Sequence, residues 1–276
     1  MKMQKPKVMG VLNVTPDSFS DGNQFNTLDT ALEQAKLMVI SGADIIDVGG
    51  ESTRPGAERV SLDEEQSRVL PVIEALAKEN MVISIDTMNS ATAEKAVQTG
   101  AKIINDVSGG LADENMFAVA AKTGATLIIS HWRGFSTQMD SMNQYVDIAS
   151  DVAGELAKQV VRAEAAGVAR DKIVIDPGLG FAKDMKQNWE LVSRLDELEK
   201  LGLPILVGAS RKRFIAGALA EDALTVSNER RDVATAVLTA LLLQRKLWGI
   251  RVHNVWATVD AINVVAALRD GRIGEN

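Results

Sequence analysis

Short β-branched runs alternate with amphipathic stretches along the whole chain, and this alternation restricts the fold more than any other feature. Eight runs read as strands: Val8–Leu12, Ile45–Val48, Val82–Ile85, Ile103–Ile104, Thr126–Ile129, Ile173–Ile175, Ile205–Val207 and Ile250–Val252. Between them apolar residues recur at three and four, as in Leu28–Ile40, Leu62–Lys78, Ala91–Gln98 and Gln187–Lys200, the spacing of a helix with one buried face. Parallel strands need such crossovers, so repeated βα units imply a parallel sheet covered by helices. A weak internal repeat (SGADIIDV from Ser41, TGAKIIND from Thr99, TGATLIIS from Thr123) sets a glycine before an apolar strand, and Gly167, Gly202 and Gly249 are expected to punctuate three more units. Glycine just past a helix accepts the left-handed conformation that ends it. Eight units without GxGxxG after the first strand favour a closed (β/α)8 TIM barrel of the α/β class over an open doubly wound sheet. The 276 residues suit one such barrel and no linker interrupts them, so residues 1–276 are expected to form a single domain.

Polar residues follow the strands in order: Asn13, Asp47, Asp86, Asn105 with Asp106, His131 with Arg133, Asp176, Ser210 with Arg211 and Lys212, and His253 with Asn254. Any one Asp or Asn there can equally start a turn or cap a helix. In a barrel, however, the carboxyl ends of all strands converge on one rim, which predicts a single pocket.

Two βα loops are long. LNVTPDSFSDGNQF (12–25) follows the first strand and GGESTRPGAERV (49–60) the second, beyond the usual two to six residues or so, the mark of lid or binding loops. DPGLGFAK (176–183) offers close backbone approach and Phe181 for packing on a flat ring. In GASRKRFIAG (208–217), three basic residues stand at an expected helix start, where the dipole disfavours cations unless an anion is near. Arg251 and His253 alternate on the last strand and so share a face. The expected pocket joins a basic end (Arg54, Arg211, Lys212, Arg251, His253) to an acceptor wall (Asp86, Asn105, Asp176). That pairing suits a nitrogen heterocycle carrying phosphate. His131 reads equally as a rim residue or a structural hydrogen bond.

Composition narrows the alternatives. The chain has no cysteine and two histidines, which excludes thiolate sites, disulfides and histidine-rich cages, so any metal has mostly oxygen ligands. A net charge of −7 argues against a general nucleic-acid binder, and no run approaches the roughly 18 apolar residues of a membrane span. A cytoplasmic protein with no membrane partner is expected.

Taken in order, MGVLNVTPDSFSDG, GGESTRPGA, SIDT, INDVSGG, HWRG, DPGLGFAK, GASRKRFI and RVH resemble the dihydropteroate synthase family of pterin-binding enzymes over essentially the whole chain. The resemblance implies condensation of 6-hydroxymethyl-7,8-dihydropterin diphosphate with 4-aminobenzoate, in a folate-pathway reaction that sulfonamides block. It implies Mg2+ on Asn13 and pterin contacts from Asp86, Asn105, Asp176 and Lys212. It further implies diphosphate contacts from Arg251 and His253, and contacts from Thr53, Arg54 and Phe181 to diphosphate or aminobenzoate. Ser210 and Arg211 would lie near the aminobenzoate carboxylate, and a homodimer is implied. Lys212, Arg251 and His253 are the residues expected to carry catalysis. Two positions depart from the common family pattern: Ser130 stands where methionine is frequent, and Asn254 where aspartate is. The rival readings are a pterin-dependent methyltransferase barrel, which would not need the SRK and RVH groups, and a catalytically silent pterin-binding paralogue, which would have lost loop or diphosphate residues.

Overall fold

A computed structural model describes residues 5–15, 24–51, 60–135 and 141–271. Eight strands alternate with helices as the apolar pattern requires. β1 (Lys7–Asn13) precedes α1 (Gln24–Ile40), β2 (Ile45–Gly49) precedes α2 (Leu62–Lys78), and β3 (Ile83–Asp86) precedes α3 (Ser90–Thr99). β4 (Ile103–Asp106), α4 (Met116–Thr123), β5 (Thr126–Ser130), α5 (Ile148–Ala165) and β6 (Ile173–Asp176) follow. The chain continues through α6 (Met185–Ser193), α7 (Asp196–Glu199), β7 (Leu206–Val207), α8 (Arg213–Gly217), α9 (Asn228–Leu242), β8 (Gly249–Val252) and α10 (Val255–Asp270). The strands are parallel in the order β6-β5-β4-β3-β2-β1-β8-β7, and a parallel bridge between Ile175 and Ile205 joins the ends into a (β/α)8 barrel.

Alternation along each strand sorts the side chains. Outward residues such as Leu12, Ile46, Ile85, Ile104, Ile129 and Ile175 join the helices in the large buried core. Inward residues Met9, Ile45, Ile103, Ile128, Val174 and Leu206 form a second cluster closed by Trp248, an apolar floor inside the barrel. Because side chains return to the same face every second residue, Asp47, Asn105, Ser130 and Asp176 stand one inward step above that floor. Arg251 pairs in register with Met9, and Asn13, Gly49, Asp86 and Asn105 are successive partners across β1 to β4. Register partners point to the same face, so the apolar floor carries a polar layer toward the carboxyl ends.

Two sequence expectations are corrected. Gly100 and Gly124 end α3 and α4 at positive φ, but Gly249 does not end a helix. It is the first residue of β8, paired with Lys7 and Leu206, and a side chain there would press on both. The stretch Gln187–Lys200 is not one helix. It begins earlier, with Asp184 and Gln187 forming a reciprocal cap, and breaks at Arg194, whose guanidinium reaches Asp147 at the start of α5 (2.8 Å).

Candidate active site

The deepest part of the polar layer is an ion-pair cluster spanning four strands. Arg251 on β8 donates from Nε to Asp47 Oδ2 (2.6 Å) and from a terminal nitrogen to Asp86 Oδ2 (2.6 Å), while Asn105 Nδ2 donates to the same Asp47 oxygen (3.1 Å). Burial raises the pKa of Asp86, with Asp47, Glu65 and Asp106 adding to the rise and Arg251 opposing it. Burial acts against the Arg251 charge, but Asp47 and Asp86 outweigh it and raise its pKa. Behind Asp86, the buried Glu65 of α2 accepts from Thr87 Oγ1 (2.6 Å) and Thr92 Oγ1 (2.7 Å), which fixes the turn from β3 into α3.

Gly49 and Gly208 leave room above this cluster. A Cβ on Gly49 would lie 3.7 Å from Asp86 Oδ2 and 3.8 Å from Asn13 Oδ1, and one on Gly208 would lie 3.6 Å from Asp176 Oδ2 and 3.7 Å from Arg251 Cβ. Asn13, Asp86, Asp176 and Arg251 therefore border common space. Asp176 accepts from Gly178 N (2.7 Å), and burial raises its pKa against the charge of Lys212. Lys212 donates to Leu179 O, and its ammonium lies 4.6 Å from the centre of the Phe181 ring. Its pKa is lowered to about 8 by burial, with Asp176 working the other way.

The side chains of the basic run Arg211-Lys212-Arg213 take three different directions. Arg211, at φ 60°, turns its guanidinium onto both oxygens of Asp232 in α9 (2.8 and 2.7 Å); Lys212 enters the pocket, and Arg213 is exposed. Ser210 serves His253 instead: its Oγ accepts from His253 N (3.1 Å) and lies 3.0 Å from His253 Nδ1. An oxygen that accepts the amide can donate its proton to Nδ1, leaving the His253 ring proton on Nε2. Asn254 caps α10 by accepting from Ala257 N (3.1 Å), so Ser210 supplies the side-chain support on the Nδ1 side of His253. Ser130, the other departure, is buried at the end of β5 beside Asp176.

Of the residues expected from sequence, Asp86, Asn105, Asp176, Lys212 and Arg251 are brought together, with Phe181 against Lys212, Asn13 on the Asp86 side and His253 seated on Ser210. Arg211 is turned toward α9. Thr53 and Arg54 lie outside the described residues. Sequence reasoning placed Asp47 at a strand end but not in the site; the available signal was its two-residue spacing from the inward Ile45. His131 is buried and engaged with Glu155 and Lys183.

A closed parallel barrel whose carboxyl-end rim opposes acidic acceptors to lysine and arginine defines a (β/α)8 protein built for a small polar ligand. Residues 9–253 match the family described as pterin binding enzyme, and the chain belongs to that family. It is 46% identical over 269 residues to the dihydropteroate synthase of Mycobacterium leprae, covering 97% of this chain and 95% of that one. Among solved structures, it superposes on the dihydropteroate synthase of Clostridium difficile determined in the presence of pteroic acid, with a TM-score of 0.89, 42% identity and coverage of 97% and 98%. The Xanthomonas albilineans dihydropteroate synthase with 4-aminobenzoic acid gives a TM-score of 0.88 and 37% identity, covering 97% of this chain and 94% of that one.

Proposed function

We propose that this chain condenses 6-hydroxymethyl-7,8-dihydropterin diphosphate with 4-aminobenzoate to give 7,8-dihydropteroate and diphosphate. The observation that carries the reading is the convergence of Asp86, Asn105, Asp176, Lys212 and Arg251 on one polar layer above an apolar floor. Relatives that bear the synthase name favour condensation over methyl transfer or a silent pterin-binding barrel.

In this reading Asp86, Asn105 and Asp176 accept from the amino and ring N–H groups of the pterin, and Lys212 donates to a ring nitrogen or carbonyl. Asp86 exchanges its bond to Arg251 for one to the pterin, and Arg251 then turns to the diphosphate with His253. The methylene C–O bond breaks and its electron pair leaves with diphosphate. The resulting cation is delocalised over the dihydropterin. The aromatic amine attacks the methylene carbon, forms the C–N bond and loses one proton to solvent. Arg251 and His253 stabilise the charge that grows on the leaving group, while the wall holds the methylene in reach of the amine. Phe181, with Thr53 and Arg54, contacts diphosphate or aminobenzoate. The same reading puts the aminobenzoate carboxylate near the turn at Ser210 and Arg211, whose side chains engage His253 and Asp232.

Among the described residues no three His, Asp or Glu side chains form a metal cage. A lone amide oxygen fits an ion that binds mainly through substrate phosphate and water, and Asn13 would hold Mg2+ in that way. When bound, the ion would neutralise charge on the departing diphosphate.

A homodimer is supported by the apolar faces of α9 and α10. Val233, Val237, Leu241 and Leu268 are exposed there, and a groove of about 500 Å³ runs along α9 beside Trp189 and Leu219. Among the described residues no helix is long and apolar enough to cross a membrane. The test is diphosphate release with Mg2+ present. Release is expected with both substrates and is lost when 4-aminobenzoate is withheld; no release with both present would overturn the reading.

A further inference from the structure

The loop from β6 to α6 holds an unusual backbone. Gly178 (φ 63°), Gly180 (φ 80°) and Ala182 (φ 48°) all occupy the left-handed region. For a non-glycine residue such as Ala182 this conformation is unfavourable, so surrounding contacts must enforce it. They are present. Lys183 is 9% exposed, and its Nζ reaches Gly178 O (3.0 Å), Phe181 O (3.0 Å) and His131 Nδ1 (2.9 Å). Burial, then the Lys212 charge, lower the Lys183 pKa well below its ordinary value, while the three acceptors match the three N–H groups of an ammonium. Tyr145 OH donates to Ala182 O (2.9 Å).

His131 continues the chain of bonds. Because the ionised Glu155 carboxylate only accepts, His131 Nε2 carries the ring proton and donates it to Glu155 Oε2 (2.9 Å), which leaves Nδ1 to accept from Lys183. Glu155 is also held by Arg133 Nε (3.0 Å), and the Arg133 guanidinium covers the Tyr145 ring at 3.8 Å. Burial, then the Lys183 charge, push His131 down to about 4, in keeping with a neutral acceptor. On the other side of the loop, Leu179 O receives Lys212 and Phe181 underlies the same ammonium. The loop is thus clasped between a buried lysine and the pocket lysine.

We propose that Lys183 is a positioning residue: held by His131 and Glu155, it fixes the loop that presents Phe181 and seats Lys212. The proposal rests on the synthase reading and extends it to residues outside the pocket wall. An apolar side chain of similar length at 183 would fill the space but leave Gly178 O, Phe181 O and His131 Nδ1 buried without this donor. The loop then shifts, carrying Phe181 and the Leu179 carbonyl with it. Asp86, Asn105 and Asp176 stand on strands and Lys212 springs from the turn between β7 and α8, so none of them follows with its backbone, and binding of the aromatic amine suffers more than binding of the pterin.

The experiment compares Lys183→Met, His131→Leu and His131→Asn, reading amide hydrogen exchange over residues 177–183 and the KM of each substrate. Lys183→Met and His131→Leu are expected to raise loop exchange and the 4-aminobenzoate KM by about tenfold each, with the pterin diphosphate KM changed by less than about threefold. His131→Asn, which keeps an acceptor near the Nδ1 position, is expected to remain near the parent in both. Parent-like loop exchange and KM in Lys183→Met would overturn the proposal, as would a lowered Tm with both KM values unmoved. If Lys183→Met does not fold, a His131→Leu variant indistinguishable from His131→Asn overturns it. If the parent condenses nothing, the synthase reading fails, and loop exchange alone decides the role of Lys183.

Discussion

Burial pushes both Lys212 and His131 toward their neutral forms, and each makes a pH prediction. Burial lowers Lys212 to about 8 against the pull of Asp176, so the free protein loses this cation in mildly alkaline solution. The kcat/KM for pterin diphosphate is expected to fall by about tenfold per pH unit above pH 8, while Lys212→Arg, charged throughout, shows no such limb. A flat parent profile to pH 10 contradicts this role for Lys212. His131 is depressed to about 4 by burial and by Lys183, so the unfolded chain binds its proton first. Its contribution to stability is complete above pH 6.5 and is lost as pH falls toward 4, on the order of 3 kcal/mol in all. Denaturant midpoints across that range should decline less in His131→Asn than in the parent; equal declines contradict it. Asp86, Asn105, Asp176, Lys212 and Arg251 were legible in the sequence because a parallel barrel brings strand ends to one rim. The partners of Asp47 and His131 were not. Arg251 lies 204 positions from Asp47, and Lys183 lies 52 from His131; no local spacing reports either pairing.

At the scale of elements, the β6-α6 loop is the most constrained segment near the site. A Cβ on Gly178 would collide with His131 O, and its φ of 63° disfavours any other residue. Gly178→Ala is expected to cost about 2 kcal/mol or more, read as a lower denaturation midpoint. An unchanged midpoint would mean that the loop yields freely. The strands were legible to within about two residues because apolar side chains alternate up to the polar ends, although several of those polar residues still belong to the ladder. The split between α6 and α7 was not legible. Its apolar spacing continues through Arg194, and the break coincides with a contact to Asp147, 47 residues earlier.

For the whole molecule, barrel closure between Ile175 and Ile205 turns eight separate strand ends into one bounded site. The outer surface makes a separate prediction. Val237 projects from α9 on the apolar face beside the groove. If the proposed homodimer forms through this face, Val237→Asp is expected to halve the mass measured by light scattering in solution, whereas a parent that already runs as one chain contradicts that proposal. The central claim is that the polar layer above the apolar floor is the pterin site. Calorimetric titration of pterin diphosphate into the parent and Asp176→Ala tests it most directly. Binding to the parent and at least about a hundredfold weaker binding to the variant are predicted, since a buried acceptor and its charge are lost together. Equal affinity in the two would contradict the account.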